Sequence, residues 1–438
     1  MSLIRLLLFM CGQLGVMLLA RYFFQWILIY ASQGQGSGGE VITLFSTSLV
    51  GVALLGFRAF DGFTDPIAGT LSDRWVASGR ERRSLLWYTA PLPAIGLALC
   101  FMPSFEMSEG LRWLTLLVGM FVFFVGYTVY AIPYWSLTGD YSRSAEDTSR
   151  LSTLLGVGLL LATAVGFILT PLLIERLGYL WSGVVIAGVS VPLMVAPYFA
   201  NPEPSSSSSN QGEELPEVNF KAVLEALKNR RFRSVLSLFA GSQMSLTVMT
   251  SAAPFIAIDL LGGSKGDVAR LLGPLLGVAI PASILTPWLA RKLGWERGVA
   301  YACGALSVVY LGVGALGVTL IHSPMVTAMC IFACGGPMIA MLLGLEAEAI
   351  TSCASEASGE EEPAKVGVYF GVYNLVVKAC NGVAIATTGI LADWARSGDP
   401  FAVRLMGLSA GGMLILGLIC YGVMRPKRSD ERATPLSD

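Results

Sequence analysis

The chain has 438 residues, of which 54% are hydrophobic and only 13% charged, and its mean hydropathy is +0.66. A soluble globular domain carries about 25% charged residues, so this composition excludes one and calls for an integral membrane protein. The formal net charge of −1 offers nothing to a polyanion, and no nucleic-acid partner is expected.

A helix crossing the hydrocarbon core needs about 20 apolar residues. Runs of that kind fall near 6–30, 41–69, 84–103, 112–136, 151–174 and 179–199. They resume near 233–260, 268–290, 299–321, 324–348, 367–392 and 401–424. The pattern predicts an all-α membrane protein of twelve helices in two six-helix halves. The expected units are residues 1–200, a linker over 201–232, a second bundle over 233–424 and a tail over 425–438.

The first run lacks a small-residue cleavage site and reads as a retained helix. Arg21 lies in its middle, among Tyr22, Phe23, Phe24 and Trp26. It either snorkels toward water or faces a cavity and binds an anionic or polar group of a substrate. Gln13 and Gln25 on the same run offer polar contacts to a ligand or to neighbouring helices. The glycines between Gly34 and Gly39 lack the lysine and spacing of a phosphate-binding loop, which argues against an ATP-driven pump.

The second run carries Asp61 and Asp65, one helical turn apart. A carboxylate at the centre of a membrane helix costs roughly 2.5–3.5 kcal/mol, and two at i and i+4 repel each other. A cation or proton is the obvious thing for such a pair to hold. Arg58, three residues earlier, is an alternative structural partner. On the fourth run, Tyr134 and Trp135 follow Pro133 and fit an interfacial belt.

Residues 201–232 hold five serines in a row, Ser205 to Ser209, then Lys228, Arg230 and Arg231, with Arg233 just beyond. The serine tract reads as a linker, and 217–231 as a short amphipathic surface helix. On the tenth run, Glu346 and Glu348 are expected at a solvated helix end, with gating bridges to basic loops as the alternative. Glu360 to Glu362 reads as a solvated loop. Lys378 on the eleventh run is the one lysine inside a predicted span. Alone it would be costly, so it is expected to face Asp61 or Asp65, as a static bridge or as a gating link between the halves. The eight cysteines are scattered, without metal-ligand spacing, and read as packing residues. The single His322 reads as a loop residue.

With both termini inside, 20 of the 29 basic residues fall on the cytoplasmic side and six outside, and Arg21, Arg58 and Lys378 lie within spans. This bias orients the N- and C-termini to the cytoplasm. The loop after the second run, with Gly69, Asp73 and Arg74 followed by Gly79-Arg80-Glu81-Arg82-Arg83, has a counterpart after the eighth run in Arg291-Lys292-Leu293-Gly294-Trp295-Glu296-Arg297. Both are short, basic and glycine-bearing, as in an internal repeat with a substrate site between the halves.

These features resemble the major facilitator superfamily, whose loop motif matches Gly69, Asp73 and Arg74. More narrowly, the chain resembles the glycoside–pentoside–hexuronide:cation symporters and their sister branch, the sodium-dependent lysophospholipid symporters. Three segments carry the likeness: Asp61-Gly62-Phe63-Thr64-Asp65-Pro66, Tyr127 to Leu137, and Gly367 through Asn374 to Lys378. The resemblance implies a cation site of Asp61, Asp65 and Thr128, which would hold sodium if sodium is used. It implies a coupling role for Lys378, a substrate cavity bordered by Trp135, and a gating loop at Gly69, Asp73 and Arg74. The chain departs from the family's sugar-binding pattern. Ala131 stands where an aspartate is expected, the first helix offers only Gln13 in place of an acid, and no intramembrane arginine follows Arg150.

The expected function is therefore secondary transport driven by sodium or protons, working by alternating access. The expected substrate is a sugar or glycoside, with Gln13, Trp135, Asn381 and Arg21 lining its site; a lysolipid is the alternative. No nucleophile–base pair marks an enzyme, and no cofactor is expected beyond the coupling ion. The expected setting is a bacterial inner membrane, with the chain acting as a monomer.

Overall fold

The computed structural model describes residues 2–37, 40–142, 145–200, 225–316, 323–358, 366–396 and 399–425. Ser205 to Ser209, His322 and Glu360 to Glu362 lie outside these, as does most of the 217–231 segment; within that segment, 225–228 is helical.

Twelve helical spans run through the described residues. They are α1 (Leu3–Ala31), α2 (Thr47–Ala77), α3 (Leu85–Thr89 and Pro91–Cys100), α4 (Glu109–Tyr141), α5 and α6 (together Ala145–Val195), α7 (Arg230–Phe255), α8 (Asp267–Leu293), α9 (Trp295–Val313), α10 (Pro324–Ser358), α11 (Val366–Ala395) and α12 (Pro400–Met424). Seven of the helices are long and apolar enough to cross a membrane on those grounds alone, α5 and α6 counting there as one. α2 falls short because it carries Arg58, Asp61 and Asp65. Ile284, Val308 and Val423 stand exposed, an arrangement that lipid stabilises and water does not. Cys100, Cys303 and Cys353 are buried, but Cys330 and Cys334 are exposed, so those two do not pack the core as expected.

The second span starts later than its apolar run. An antiparallel pair, β1 (Gly34–Ser37) and β2 (Glu40–Thr43), precedes it, with Gly34 opposite Thr43. β-branched Val41, Ile42 and Thr43 favour this extended form, and the Ser46 side chain then caps α2 by accepting from the Leu49 amide.

The two halves repeat each other. α1 packs on the α5–α6 run as α7 packs on α11 and α12; α3 packs on α4 as α9 packs on α10. The loops leaving α2 and α8 turn at Gly79 and Gly294, with φ of 80° and 78°. Only glycine adopts that left-handed backbone without strain, so the glycine shared by the two loops is a shared turn. Gly178, at φ 75°, separates α5 from α6 in the same way.

Across the halves, α2 packs on α11, the α5–α6 run on α8, and α1 on α7. The α2–α11 seam is close because its residues are small. A Cβ on Gly51 would lie 3.0 Å from the Ala386 Cα, and one on Gly389 would run into the Thr47 carbonyl. At the seam's end, the Asp393 carboxylate accepts from the Thr47 and Ser48 amides (2.9 and 2.7 Å) and from the Ser46 and Thr47 hydroxyls (2.8 and 2.6 Å). It thus caps a helix of the other half. On the symmetry-related seam, Glu175 accepts from the Gly266 amide.

At the opposite end each half closes on itself. Arg82 bridges Asp73 (2.8 Å) and Asp140 (3.0 Å), while Arg231 joins Glu296 (2.8 Å) and Glu356, and Arg425 also reaches Glu296 (2.9 Å). Each of these ion pairs stays within one half.

The close seam is testable. Gly389→Leu should cost about 1–3 kcal/mol through overpacking and lower the melting temperature of the detergent-purified protein by several degrees. Gly188→Leu is the control, because an added Cβ there meets nothing within 4 Å. Equal melting of the two variants would show that the α2–α11 approach tolerates bulk.

Candidate functional site

The seam brings four charges together. Asp61 is fully buried. It accepts from the Thr128 hydroxyl on α4 at 2.5 Å, and lies 3.3 Å from an Arg58 guanidinium nitrogen and 3.1 Å from Lys378 Nζ on α11. Asp65, one turn on, lies 2.5 Å from the same Lys378 nitrogen and keeps 22% of its side chain exposed. Lys378 therefore sits between both carboxylates. Two cations face two anions, so the cluster is neutral without any bound ion.

The elements explain the geometry. Asp61 and Asp65 share one face of α2 because of their i, i+4 spacing. Arg58 reaches the same face from i−3 and lies over the rings of Phe24 (4.2 Å) and Phe124 (5.9 Å). Phe124 is stacked on Phe57 at 5.6 Å and meets Phe123 edge-on, which fixes that wall. The Arg58 Nε is buried with no hydrogen-bond partner. Tyr127 lies within electrostatic reach of Arg58, Asp61, Asp65 and Arg21, joining the cluster to the inner face of α1.

Arg21 donates to the Thr163 hydroxyl at 3.1 Å and lies 5.8 Å from the Phe167 ring centroid. Among the described residues no carboxylate pairs with it, so it stands half-buried and open to an anionic or polar group. Trp135 Nε1 donates to Gln13 Oε1 at 2.9 Å, and the Tyr134 hydroxyl accepts from the Gln13 amide. These two residues meet on the α1–α4 wall. Asn381 lies on the other wall, where its Oδ1 accepts from Thr247 at 3.0 Å. Ala131 is fully buried one turn after Thr128. Among the described residues, no group of three or more His, Cys, Asp or Glu could hold a metal ion. Two carboxylates and one hydroxyl suit a single monovalent cation.

Gly69, Asp73 and Arg74 lie within the last turns of α2 and not in the loop expected to hold them, because the helix runs on to Ala77 before the chain turns; Asp73 pairs with Arg82 of the following loop, Gly69 has only Ile132 near its Cβ position, and Arg74 is exposed. Arg82 is the cation of this loop; its signal is the basic run Arg80 to Arg83. Glu346 is not at a solvated end. α10 continues twelve residues past it, and Gln243 Nε2 donates to its Oε2 at 2.8 Å. Glu348 is exposed, but it too lies within α10 and not at its end.

The model of the family described as MFS/sugar transport protein matches residues 8–400. The chain belongs to this family. Its members move solutes across membranes and are not enzymes. The chain is 24% identical over 384 residues to the isoprimeverose transporter of Lactiplantibacillus pentosus, covering 80% of this chain and 75% of that one. It is 24% identical over 393 residues to the inner membrane symporter YicJ of Escherichia coli (strain K12), covering 85% and 74%. Among solved structures, a bacterial homologue of the human lysosomal transporter Spinster, inward-facing and unoccupied, superposes with a TM-score of 0.67 at 15% identity over 97% of both chains. An auto-inhibited POT family peptide transporter gives 0.66 at 13% identity over 99% of this chain and 98% of that one. These likenesses establish the major facilitator fold.

The charge balance is testable. Asp61→Asn leaves two cations against one carboxylate, a loss of about 3–5 kcal/mol. Adding Lys378→Met to it restores neutrality and should recover most of that loss, read as the melting temperature of purified protein. Equal melting of the single and double variants would show that the four charges do not depend on one another.

Proposed function

We propose that the chain is a cation-coupled symporter of a sugar or glycoside that works by alternating access in a bacterial inner membrane. The observation that carries this reading is the position of Lys378. It belongs to the second half and occupies the space between two carboxylates of the first. A sodium ion or proton arriving at Asp61 and Asp65 neutralises what holds the lysine, so ion binding weakens a bond across the seam. Site occupancy and the relation between the halves are thereby linked. The coupling ion is the one inorganic partner required, and a single chain contains both walls of the cavity.

The polar wall of Gln13 and Trp135 and the unpaired Arg21 provide donors and acceptors for a hydroxyl-rich ligand. The named transport activity of the isoprimeverose transporter supports a glycoside. Arg21 also fits the anionic headgroup of a lysophospholipid, which is the second reading. With both termini in the cytoplasm, the Asp393 and Glu175 contacts join the two halves at the outer face.

The test is transport by the purified chain in proteoliposomes. Labelled isoprimeverose, or another member of a glycoside panel, should accumulate against its gradient under an imposed sodium or proton gradient and only equilibrate without one. Lysophospholipid accumulation in place of glycoside would select the second reading. Lys378→Ala should bind the coupling cation more tightly, because a competing charge is gone. It should still exchange substrate and fail to accumulate it. Full gradient-driven accumulation by this variant would reject the coupling role and leave a structural ion pair.

A further inference from the structure

The repeat places a second polar pair opposite the first. In the first half, α1 and α4 are joined by Trp135 and Gln13. In the second half, their counterparts α7 and α10 are joined by Gln243 and Glu346. Both glutamines lie about three to four turns into their helices, and α1 packs on α7 across the halves. The two pairs therefore hang from neighbouring helices of opposite halves, at a similar depth. They differ in charge, because the first pair is neutral and the second ends in a carboxylate.

Glu346 has no cationic partner among the described residues. Only its Oε2 accepts a regular hydrogen bond, the one from Gln243, and Oε1 is left open. Tyr373 on α11 is 2% exposed, and its hydroxyl comes up to both Glu346 and Gln243 without a hydrogen bond of regular geometry. One turn along α7, Thr247 donates to Asn381 Oδ1, and the Asn381 Nδ2 donates to no group among the described residues. Tyr373 and Asn381 lie on one face of α11, turned to α7, while Lys378 reaches from the same helix to α2. A carboxylate kept inside a membrane bundle with one neutral donor is costly, and a buried hydroxyl without a partner adds to that cost.

The donor set decides what this strip accepts. Bare cations want oxygen acceptors alone, yet here amide and phenol donors crowd the carboxylate. Hydroxyl groups both donate and accept, so adjacent hydroxyls of one ligand can donate to Glu346 while accepting from Asn381 Nδ2 and Tyr373. We propose that Glu346, with Gln243, Tyr373 and Asn381, is the second wall of the substrate site and the carboxylate that selects a polyhydroxylated ligand. The inference rests on the glycoside reading above and adds the residue that reads the hydroxyls.

The experiment measures uptake in proteoliposomes by wild type, Glu346→Ala, Glu346→Gln and the exposed control Glu348→Gln. The probe is labelled isoprimeverose, or the member of the glycoside panel that wild type accumulates. Hydrogen bonds to a charged group contribute enough that Glu346→Ala should raise KM by about 10- to 100-fold, with the accumulation ratio at saturating sugar unchanged and Glu348→Gln like wild type. Monodeoxy analogues supply the second readout. The analogue lacking the bound hydroxyl should lose a similar factor against wild type and little further against Glu346→Ala, since the two changes remove one interaction. If Glu346→Ala fails to reach the membrane, the isosteric Glu346→Gln carries the same comparison. Unchanged KM with additive deoxy losses overturns the proposal. Lost accumulation with KM retained also overturns it and makes Glu346 a coupling carboxylate. Wild type that accumulates no glycoside refutes the glycoside reading itself, which distinguishes that failure from the failure of Glu346 alone.

Discussion

Four charges in the α2–α11 seam can exist there only together. Asp61 is fully buried and Asp65 partly so, and either would be expensive in an apolar bundle without Arg58 and Lys378. Their mutual compensation fixes more than the site. It requires α2 and α11 to stay within reach of each other, and the small residues Gly51, Ala386 and Gly389 let them do so. It also orders the aromatic wall, because the Arg58 guanidinium lies over Phe24. The remaining helices can be understood as the scaffold that holds this seam and its symmetry mate, α5–α6 against α8.

The repeat gives the molecule two walls with different chemistry. Equivalent helices carry equivalent glutamines, yet the ions gather on one side and an unpaired carboxylate stands on the other. Under the proposed coupling such divergence is needed, since a fully symmetric cavity would offer the coupling ion and the substrate the same groups.

Much of this is legible in the amino-acid sequence. Twelve apolar runs, a polar break and a one-sided basic bias define the fold before any coordinates. The aspartate pair announces itself because two acids on one helix face conflict with their surroundings, and Arg58 is visible at i−3. Other features depend on contacts that local pattern does not encode. Lys378 contacts Asp65 from 313 positions away and Asp61 from farther still, and local pattern does not encode that it reaches both. Glu346 looks like a helix end because hydropathy falls after it; α10 nevertheless continues, through a polar stretch that still winds as helix. The Asp393 cap depends on two helix ends meeting from opposite halves. The late start of α2 is hidden because β-branched residues suit a strand and a membrane helix equally well.

The neutrality of the seam has an electrical consequence. In the empty state two positive and two negative side chains cancel, so the core of the carrier presents no net charge to the membrane voltage as it reorients. Under the proposed coupling, a monovalent cation seated beside an uncharged sugar makes the loaded core positive by one. The transmembrane potential then acts on the loaded passage and leaves the empty return almost untouched, at about 2.3 kcal/mol per 100 mV for a charge crossing the full field. A negative cell interior would thus drive the inward, loaded step directly, and transport would be electrogenic by virtue of a charge balance set by Arg58, Asp61, Asp65 and Lys378.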